Sequence, residues 1–455
     1  MTYAASGAAD PTVTAVGFLF GGLPAGWLVL FTVALVVVVT LFAWTATLYV
    51  RAERWMAAGS RRAESGQSSD EPELRYDDYL WVFVVPALNE AVTIRDSVSR
   101  LLNVDVARRR IVVVDDGSDD ATPQVLATLD HPDVRIIRRD PPNAQLGKAA
   151  ALNHAYSTLD VGDHDRSRVV LTVVDADGRL APDAPRHISR HLTDPTVGAV
   201  QAVVRIYNRH RILTWFQDLE FGVFGYLFQA GRNSAGTAGM GGNGQFNRLS
   251  ALDDIAEDGA PWRDRLTEDQ DLGLRLVARG WKGRQDLHAT VDQQGLSKLR
   301  PLLRQRTRWS QGNLQALDLT GEIRRAPFPF LVRAEVLLNL WMPILQAMVG
   351  VPLVVAIILA ITGVTPVWGD GPTWYLAVMY LLMFGSTVLG CVAAMRDQGG
   401  RLLGFLVAHA YAFYTWLLWP VLARSVARQL SNRLDWDKTS REPISGRFGR
   451  SGGRD

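Results

Sequence analysis

Residues 110–118 read RIVVVDDGS, a short apolar run that ends abruptly in two carboxylates, a glycine and a serine. A similar run, WVFVVP, occupies residues 81–86, and another, VVLTVV, occupies residues 169–174. Segments with helical spacing, 89–102 and 147–158, lie between these runs. Alternation of this kind predicts an α/β domain with a mostly parallel sheet and helices on both of its faces.

Polar side chains follow three of the predicted strands. Pro86 ends the first of these runs, and Asn89 and Glu90 follow it; Asp115 and Asp116 follow the second run, and Asp175 and Asp177 follow the run at 169–174. In parallel sheets, the crevice beyond the carboxyl ends of the strands is where ligands bind. Asp115 and Asp116 could accept hydrogen bonds from a nucleobase or a ribose. Helix capping explains the same DDGS sequence equally well, because Asp and Ser are good N-caps.

Asp175 and Asp177 form a D-x-D pair directly after a predicted buried strand. Two carboxylates one residue apart can hold a hard divalent cation and leave its other positions to water and phosphate. A nucleotide-sugar diphosphate requires such a cation, since its leaving group concentrates negative charge. The sequence DADG is also ordinary turn chemistry, so this pattern alone leaves both interpretations open.

Two later segments combine charge with helical periodicity. Residues 267–269, TED, begin a helical pattern, and a carboxylate there is either a capping group or a general base. Residues 305–309, QRTRW, lie in a basic stretch; Arg can pair with phosphate and Trp offers a flat face to a sugar. An interfacial amphipathic helix is the alternative interpretation. The glycine-rich residues 239–244 permit close backbone approach but do not form a dinucleotide fingerprint.

The composition excludes several classes of protein. Lys+Arg 48 against Asp+Glu 46 gives a net charge of +2 over 455 residues, which argues against a dedicated nucleic-acid binder. A single cysteine excludes an intramolecular disulfide framework and a multi-cysteine zinc site. Hydrophobic residues make up 48% of the chain, which suggests one soluble domain attached to a few membrane spans.

An uncharged apolar stretch at residues 26–50 is long enough to cross about 30 Å of hydrocarbon. Arg51 and Arg54 follow it, so the positive-inside bias places the N-terminus outside and the next domain in the cytoplasm. Three more apolar stretches occupy about residues 340–364, 374–394 and 402–422. One span before the domain and three after it would place the Arg-rich tail outside, which conflicts with the positive-inside bias. One C-terminal segment is therefore re-entrant, or a further span lies within residues 328–364.

The resulting division of the chain has seven parts. They are a short extracytoplasmic N-terminus (1–25), a transmembrane helix (26–50), a linker (51–78), a cytoplasmic catalytic domain (79–298), interfacial amphipathic helices (299–330), about three transmembrane or re-entrant helices (331–424) and a basic tail (425–455).

Taken in order, these motifs resemble the family 2 inverting glycosyltransferases, particularly the membrane-integrated, processive branch of cellulose, chitin, hyaluronan and poly-N-acetylglucosamine synthases. The matching segments are VPALNE (85–90), VVDDGS (113–118), GKAAALN (147–153), VVDADG (173–178), TEDQDLGLRL (267–276) and QRTRW (305–309). The resemblance implies a GT-A-type nucleotide-sugar-binding domain between transmembrane helices. Residues 436–441, WDKTSR, also resemble a W-x-K-T tail motif of related synthases.

The resemblance also implies roles for individual residues. Those expected at the nucleotide are Pro86, Asn89, Glu90, Asp115, Asp116, Lys148 and Asp175, with Asp116 at the uridine. Asp177 and Asp175 are expected to hold Mg2+ or Mn2+, with Asp177 as the more direct ligand. Asp269 resembles the catalytic base, and Glu268 beside it is expected to belong to the catalytic site as well. Gln305, Arg308 and Trp309 resemble the Q-x-x-R-W signature, which contacts the diphosphate and the acceptor.

These roles predict a membrane-bound glycosyltransferase that uses a UDP-sugar and a divalent metal to form β-glycosidic bonds. Processive synthesis and export of an extracellular polysaccharide is the first expectation, with a growing glycan as acceptor and an accessory secretion protein as a candidate partner. The alternative is transfer of one sugar to a lipid carrier or glycolipid. A transporter or scaffold is a third class, disfavoured because the apolar stretches carry almost no charge. The expected location is the plasma membrane, with several spans and contact with its lipids.

Overall fold

The computed structural model describes residues 25–64, 76–362, 373–396 and 399–433. Its centre is one mixed sheet of eight strands in the order β3-β2-β1-β4-β7-β6-β8-β5. The strands are β1 Leu80–Ala87, β2 Arg109–Asp115, β3 Val134–Arg138, β4 Val169–Val173, β5 Arg179–Leu180, β6 Val197–Ile206, β7 Gln245–Arg248 and β8 Lys282–Gln293.

Fifteen α-helices are formed by the described residues. They are α1 Ala25–Glu64, α2 Ile94–Leu102, α3 Thr122–Leu126, α4 Lys148–Ser157, α5 Ala184–Leu192, α6 Ile212–Val223, α7 Leu249–Ile255, α8 Glu268–Ala278, α9 Leu299–Gln315, α10 Thr320–Arg325, α11 Phe330–Leu340, α12 Met342–Ile361, α13 Thr373–Ala394, α14 Gly400–Thr415 and α15 Leu418–Leu430. A π-helical turn, Phe224–Gln229, and a 3-10 segment, Ala230–Ala235, follow α6.

The predicted parallel sheet is confirmed for the first four strands, because β1 pairs in parallel with both β2 and β4, and β2 with β3. Side chains alternate across β1, so Trp81 and Phe83 pack on one face while Val82 and Val84 pack on the other. The β1–β2 register sets Ala87 beside Asp115. The polar residues that follow β1, β2 and β4 therefore meet at one edge of the sheet. β7 runs antiparallel to its neighbours β4 and β6, which makes the sheet mixed.

Four helical stretches of the described residues are long and apolar enough to cross a membrane: Val29–Gly59, Met342–Leu359, Ala377–Ala394 and Gly400–Leu430. They indicate a membrane protein, while the orientation of the spans stays a prediction. The first helix differs from the expected bounds, since α1 continues through the first part of the predicted linker to Glu64. Arg and Glu end an apolar run without ending a helix, because both are good helix formers. Residues 65–75 lie outside the described residues.

The last predicted span, 402–422, is not one uninterrupted α-helix. α14 ends at Thr415 and α15 begins at Leu418. α15 lies against α9, where the Ser310 and Ser425 hydroxyls are 2.8 Å apart and Arg428 Nε donates to Gln311 Oε1 at 3.0 Å. The apolar C-terminal region is therefore attached to the segment that carries Q-x-x-R-W. The W-x-K-T motif lies outside the described residues.

Candidate active site

A pocket of about 730 Å³ opens at the carboxyl ends of β1 and β4 and extends between the membrane helices. Most of the residues singled out by sequence line it: Pro86, Glu90, Asp116, Lys148, Asp175, Asp177, Glu268, Asp269, Gln305, Arg308 and Trp309. These residues are spread over more than two hundred positions of the chain. The fold brings them together because three of its parallel strands end at this edge.

Asn89 and Asp115 do not line the pocket formed by the described residues. Asp115 Oδ1 accepts from the Ser118 backbone N–H at 3.0 Å, and Arg138 Nη1 donates to its other oxygen at 2.5 Å. Asn89 Oδ1 accepts from the Asp119 N–H at 2.9 Å. Both side chains therefore stabilise the turn after β2. Neither caps α3, whose N-cap residue is Ala121 with no side-chain hydrogen bond, so the helix-capping alternative is wrong. Their contact with a nucleotide stays a prediction.

Asp116 forms a buried ion pair that sequence reasoning missed. Arg139 Nη1 donates to Asp116 Oδ1 at 2.6 Å, and both side chains are buried. Burial raises the pKa of the Asp116 carboxyl, and the Arg139 charge offsets only part of that rise. Arg139 directly follows β3, so applying the strand-end rule to the third strand would have found it.

Lys148 joins the sheet edge to the start of α8. Its Nζ lies 2.7 Å from Asp175 Oδ1 and 3.5 Å from Glu268 Oε1. Burial alone would lower the pKa of this ammonium, but the carboxylates of Asp175, Glu268 and Asp269 together raise it above its ordinary value. Lys148 is therefore a fixed positive charge among three acids, in the position expected beside a diphosphate.

Asp269 lies in the first turn of α8 and faces the pocket. Burial and the neighbouring Glu268 carboxylate raise the pKa of Asp269 to about 7, against the opposing effect of Lys148. A carboxylate with such a pKa is suited to accept a proton at neutral pH. One of its oxygens also accepts from the Gln270 N–H at 2.8 Å, so capping and proton transfer are both compatible with its position.

The glycine-rich segment 239–244 packs directly against Asp269. A Cβ on Gly242 would lie 2.8 Å from Asp269 Oδ2 and 3.3 Å from Lys148 Nζ, and Gly242 has a φ of +76°. Two buried glutamines hold the segment, since Gln201 and Gln229 accept from the N–H groups of Gly241 and Gly239 at 2.9 Å and 2.7 Å. Glycine is needed here for close approach to the candidate base.

Asp175 and Asp177 supply a donor set that fits an oxygen-preferring divalent cation. Asp177 Oδ2 accepts from the Gln294 N–H at 3.1 Å, which fixes the orientation of that carboxylate. The described residues contain no group of three or more His, Cys, Asp and Glu side chains arranged to hold a metal. A cation held by this pair would therefore take its remaining oxygens from water and from a substrate diphosphate, as Mg2+ commonly does.

Trp309 is held in the pocket wall by a second charged group that the motif did not reveal. The Arg306 guanidinium lies 4.2 Å from the Trp309 ring centroid. Arg306 Nη2 donates to Glu220 Oε2 at 2.7 Å, and the Tyr414 hydroxyl donates to the same oxygen at 2.8 Å. Glu220, on α6, thus connects α9 to α14. Through Arg306 it also fixes Trp309, the side chain expected to contact a sugar.

The far end of the pocket is apolar and belongs to the membrane helices. Its wall there includes Leu41 and Trp44 from α1, Leu340 from α11, and Leu418 and Leu422 from α15. The pocket therefore runs from an acidic, lysine-containing end at the sheet edge to a hydrocarbon-like end at the spans.

This fold, with a carboxylate-rich pocket at the edge of a mixed sheet, is that of the GT-A-type glycosyltransferases. The chain belongs to the glycosyltransferase like family 2, whose family model matches residues 81–312, about half of the sequence. The resemblance noted from the motifs is confirmed, and so are the fold class and the enzyme class.

The similar proteins include two that differ in product. A β-monoglucosyldiacylglycerol synthase from a Synechocystis species is 30% identical over 61% of this chain. The matched part of the chain spans 59% of that relative's length. A poly-β-1,6-N-acetyl-D-glucosamine synthase from Staphylococcus aureus is 27% identical over 62% of this chain and 67% of its own. A mannosyltransferase from Pyrobaculum calidifontis, solved with GDP-Man and Mn2+, shares the fold with a TM-score of 0.54 and 19% identity, covering 89% of this chain and 99% of that one.

Proposed function

We propose that this protein is an inverting glycosyltransferase that moves a sugar from a UDP-sugar to an acceptor supplied from the membrane, forming a β-linkage. The observation that carries the proposal is the position of Asp269. A carboxyl whose pKa is raised to about 7 stands in the pocket within one turn of Glu268 and beside Lys148. This arrangement supports a base and a fixed positive charge close together in one pocket.

In the proposed reaction, Asp269 accepts the proton of an acceptor hydroxyl whose oxygen attacks the anomeric carbon. The bond from that carbon to the UDP oxygen breaks, and the electron pair leaves with UDP. Lys148 and Arg308 offset the charge that develops on the leaving diphosphate, which is the kind of preorganised stabilisation that dominates many enzymatic rates. A divalent cation at Asp175 and Asp177 would add Lewis-acid stabilisation of the same diphosphate.

The nucleotide is proposed to bind with its uracil near Asp116 and its ribose near Pro86 and Glu90. Asp116 can accept from the imide N–H of uracil, and the Arg139 guanidinium favours the charged form of that carboxylate and holds its direction. Asn89 and Asp115 support this site indirectly by shaping the turn that carries Asp116.

For the acceptor, the pocket favours a lipid or lipid-linked hydroxyl over a free polysaccharide. Its wall beyond Asp269 includes many apolar side chains of α1, α12 and α15, which suit acyl or prenyl chains better than a hydrated glycan. The glycolipid-forming relative agrees with this choice. A growing polysaccharide is the second candidate, because Trp309 offers a flat ring in the same pocket, as the Q-x-x-R-W motif led us to expect.

The experiment is transfer by the purified, full-length protein with a panel of UDP-sugars, with Mg2+ or Mn2+ and with EDTA. We expect metal-dependent UDP release that requires one donor and is stimulated by a diacylglycerol or prenyl phosphate, with a product that carries one sugar. A water-soluble product of many sugars would instead establish the polymer. The assignment would be overturned if UDP bound without any dependence on metal and no sugar was transferred to any acceptor.

A further inference from the structure

Arg232 is a buried arginine at the membrane end of the pocket, and the proposed reaction does not use it. The residue is 4% exposed and lines the pocket. It lies in the 3-10 segment Ala230–Ala235, which packs tightly on α1, since a Cβ on Gly231 would lie 2.6 Å from the Leu48 carbonyl oxygen. The backbone therefore holds the guanidinium in place beside a membrane helix.

Arg232 belongs to a cluster with one positive charge in excess. Glu335 on α11 pairs through one oxygen with Arg51, and its other oxygen lies 4.0 Å from Arg232 Nε. Two arginines thus share one carboxylate. Within the described part of the chain, Nε and Nη2 of Arg232 make no hydrogen bond. A buried charge without hydrogen-bond partners is costly, so this site is set up to receive an anion.

The guanidinium stays charged at neutral pH even though it is buried. Burial lowers the pKa of Arg232 to about 10, and the Glu335 carboxylate limits that decrease. Because this pKa remains far above neutrality, the excess charge of the cluster persists in the protein under ordinary conditions.

The surroundings of Arg232 place it at the level of lipid head groups. Its guanidinium lies 5.5 Å from the Trp44 ring centroid. Trp44 precedes Arg51, the first charged residue after the apolar run of α1, by seven positions, or about 10 Å along the helix. Tryptophan and arginine at the end of a span mark the interface between hydrocarbon and water. The neighbouring pocket wall, with Leu41, Val336 and Leu340, is apolar.

We propose that the membrane end of the pocket binds the phosphate-bearing, anionic head group of a membrane lipid, with Arg232 as its principal contact. The guanidinium supplies charge-assisted donors to phosphate, and the apolar wall accommodates the chains. A lipid fits better than a free phosphate because the charged group lies within this apolar wall. The role of that lipid as the acceptor rests on the proposed function, whereas its binding does not.

The test is a titration of the purified, full-length protein with phosphatidylglycerol in detergent. Native mass spectrometry measures the lipid that binds. Diacylglycerol, which lacks the phosphate, and inorganic phosphate are titrated in parallel. We expect saturable binding of phosphatidylglycerol that Arg232→Gln weakens about tenfold or more and Arg232→Lys largely retains, since one charge-assisted contact has this weight. UDP affinity, measured on the same samples, should not change, which also reports that each variant is folded.

The matched control is Arg401→Gln. Arg401 is exposed on α14 and pairs with Glu53 of α1 at 3.1 Å. Because Glu53 lies two positions after Arg51, Arg401 is near the same membrane boundary, but it does not line the pocket. This variant should bind the lipid as wild type does. Four results would overturn the proposal: wild-type lipid affinity in Arg232→Gln, an equal loss in Arg401→Gln, displacement of the lipid by inorganic phosphate, or weakened UDP binding in Arg232→Gln. If sugar transfer fails while Arg232-dependent lipid binding persists, the proposed function is wrong and the lipid site stands.

Discussion

Individual side chains in the pocket owe their chemistry to burial and to charged neighbours, some of which are distant in sequence. Asp269 is an ordinary first-turn carboxylate in sequence, and its raised pKa arises from burial and from Glu268. Lys148 is 27 residues from Asp175 and pairs with it at 2.7 Å. The motifs identified most of these residues, but the balance of charges that sets their protonation depends on the folded pocket.

The first prediction concerns pH. A protonated Asp269 carboxyl cannot accept a proton, so activity is present above its pKa and is lost as pH falls through it. We expect kcat/KM to rise with pH and to level off above about 7, the value to which its surroundings raise the pKa. Initial rates at subsaturating donor, measured in buffers of constant ionic strength, check this. A profile that is flat across the neutral range would contradict the role of Asp269 as base.

The second prediction concerns the buried pair of Asp116 and Arg139. Arg139→Met would leave an unpaired carboxylate in the interior, which costs about 3–5 kcal/mol of unfolding free energy. The midpoint of thermal unfolding should therefore fall substantially, and Asp116→Asn in the same chain should restore part of the loss. Arg135→Gln, an exposed change in β3, the strand that Arg139 follows, is the control and should alter the midpoint little. Equal midpoints for Arg139→Met and Arg135→Gln would show that the pair does not stabilise the fold.

At the level of elements, the glycine-rich segment 239–244 packs against α8 beside the candidate base. Their approach is so close that Gly242 has no room for a side chain toward Asp269. The sequence indicated a backbone that can come near a ligand, yet the segment's actual neighbour is the candidate base. Spacing alone could not show this, because the contact joins residues that lie on opposite sides of β7 and α7 in the chain.

Gly242→Ala should lower the transfer rate about tenfold to a hundredfold with UDP affinity retained, because displacing a base by a fraction of an ångström disturbs its alignment. The φ of +76° adds strain to any side chain at this position. Gly241→Ala is the matched control, since a Cβ there would be 3.8 Å from its nearest neighbour, which is an ordinary contact. Similar rates for the two variants would mean that this close packing has no part in the reaction.

The elements themselves were predictable to different degrees. Strands β1, β2 and β4 are continuous apolar runs, and the structure has them where the sequence placed them. The end of α1 was placed too early, because charge marks the end of an apolar span but not of a helix. The break between α14 and α15 at residues 416–417 was missed, since hydropathy records how apolar a segment is and not whether its helix is continuous.

Over the whole molecule, one pocket connects the glycosyltransferase domain to the apolar helices. Its two ends could be inferred from separate parts of the sequence, from the D-x-D and TED motifs and from the apolar stretches. Their continuity could not, because it depends on contacts such as Arg306 with Glu220, 86 residues apart, and Arg51 with Glu335, 284 residues apart. These pairs join α9 to α6 and α1 to α11, and so set the wall between the two ends.

The most direct measurement of the central claim compares single-turnover sugar transfer by Asp269→Asn, Asp264→Asn and wild type at saturating UDP-sugar. Asp264 is an exposed carboxylate in the segment that precedes α8, and it does not line the pocket. We predict that Asp269→Asn transfers about 10²–10⁴-fold more slowly while binding UDP normally, as expected for loss of a general base, and that Asp264→Asn matches wild type. Wild-type transfer by Asp269→Asn would contradict the account.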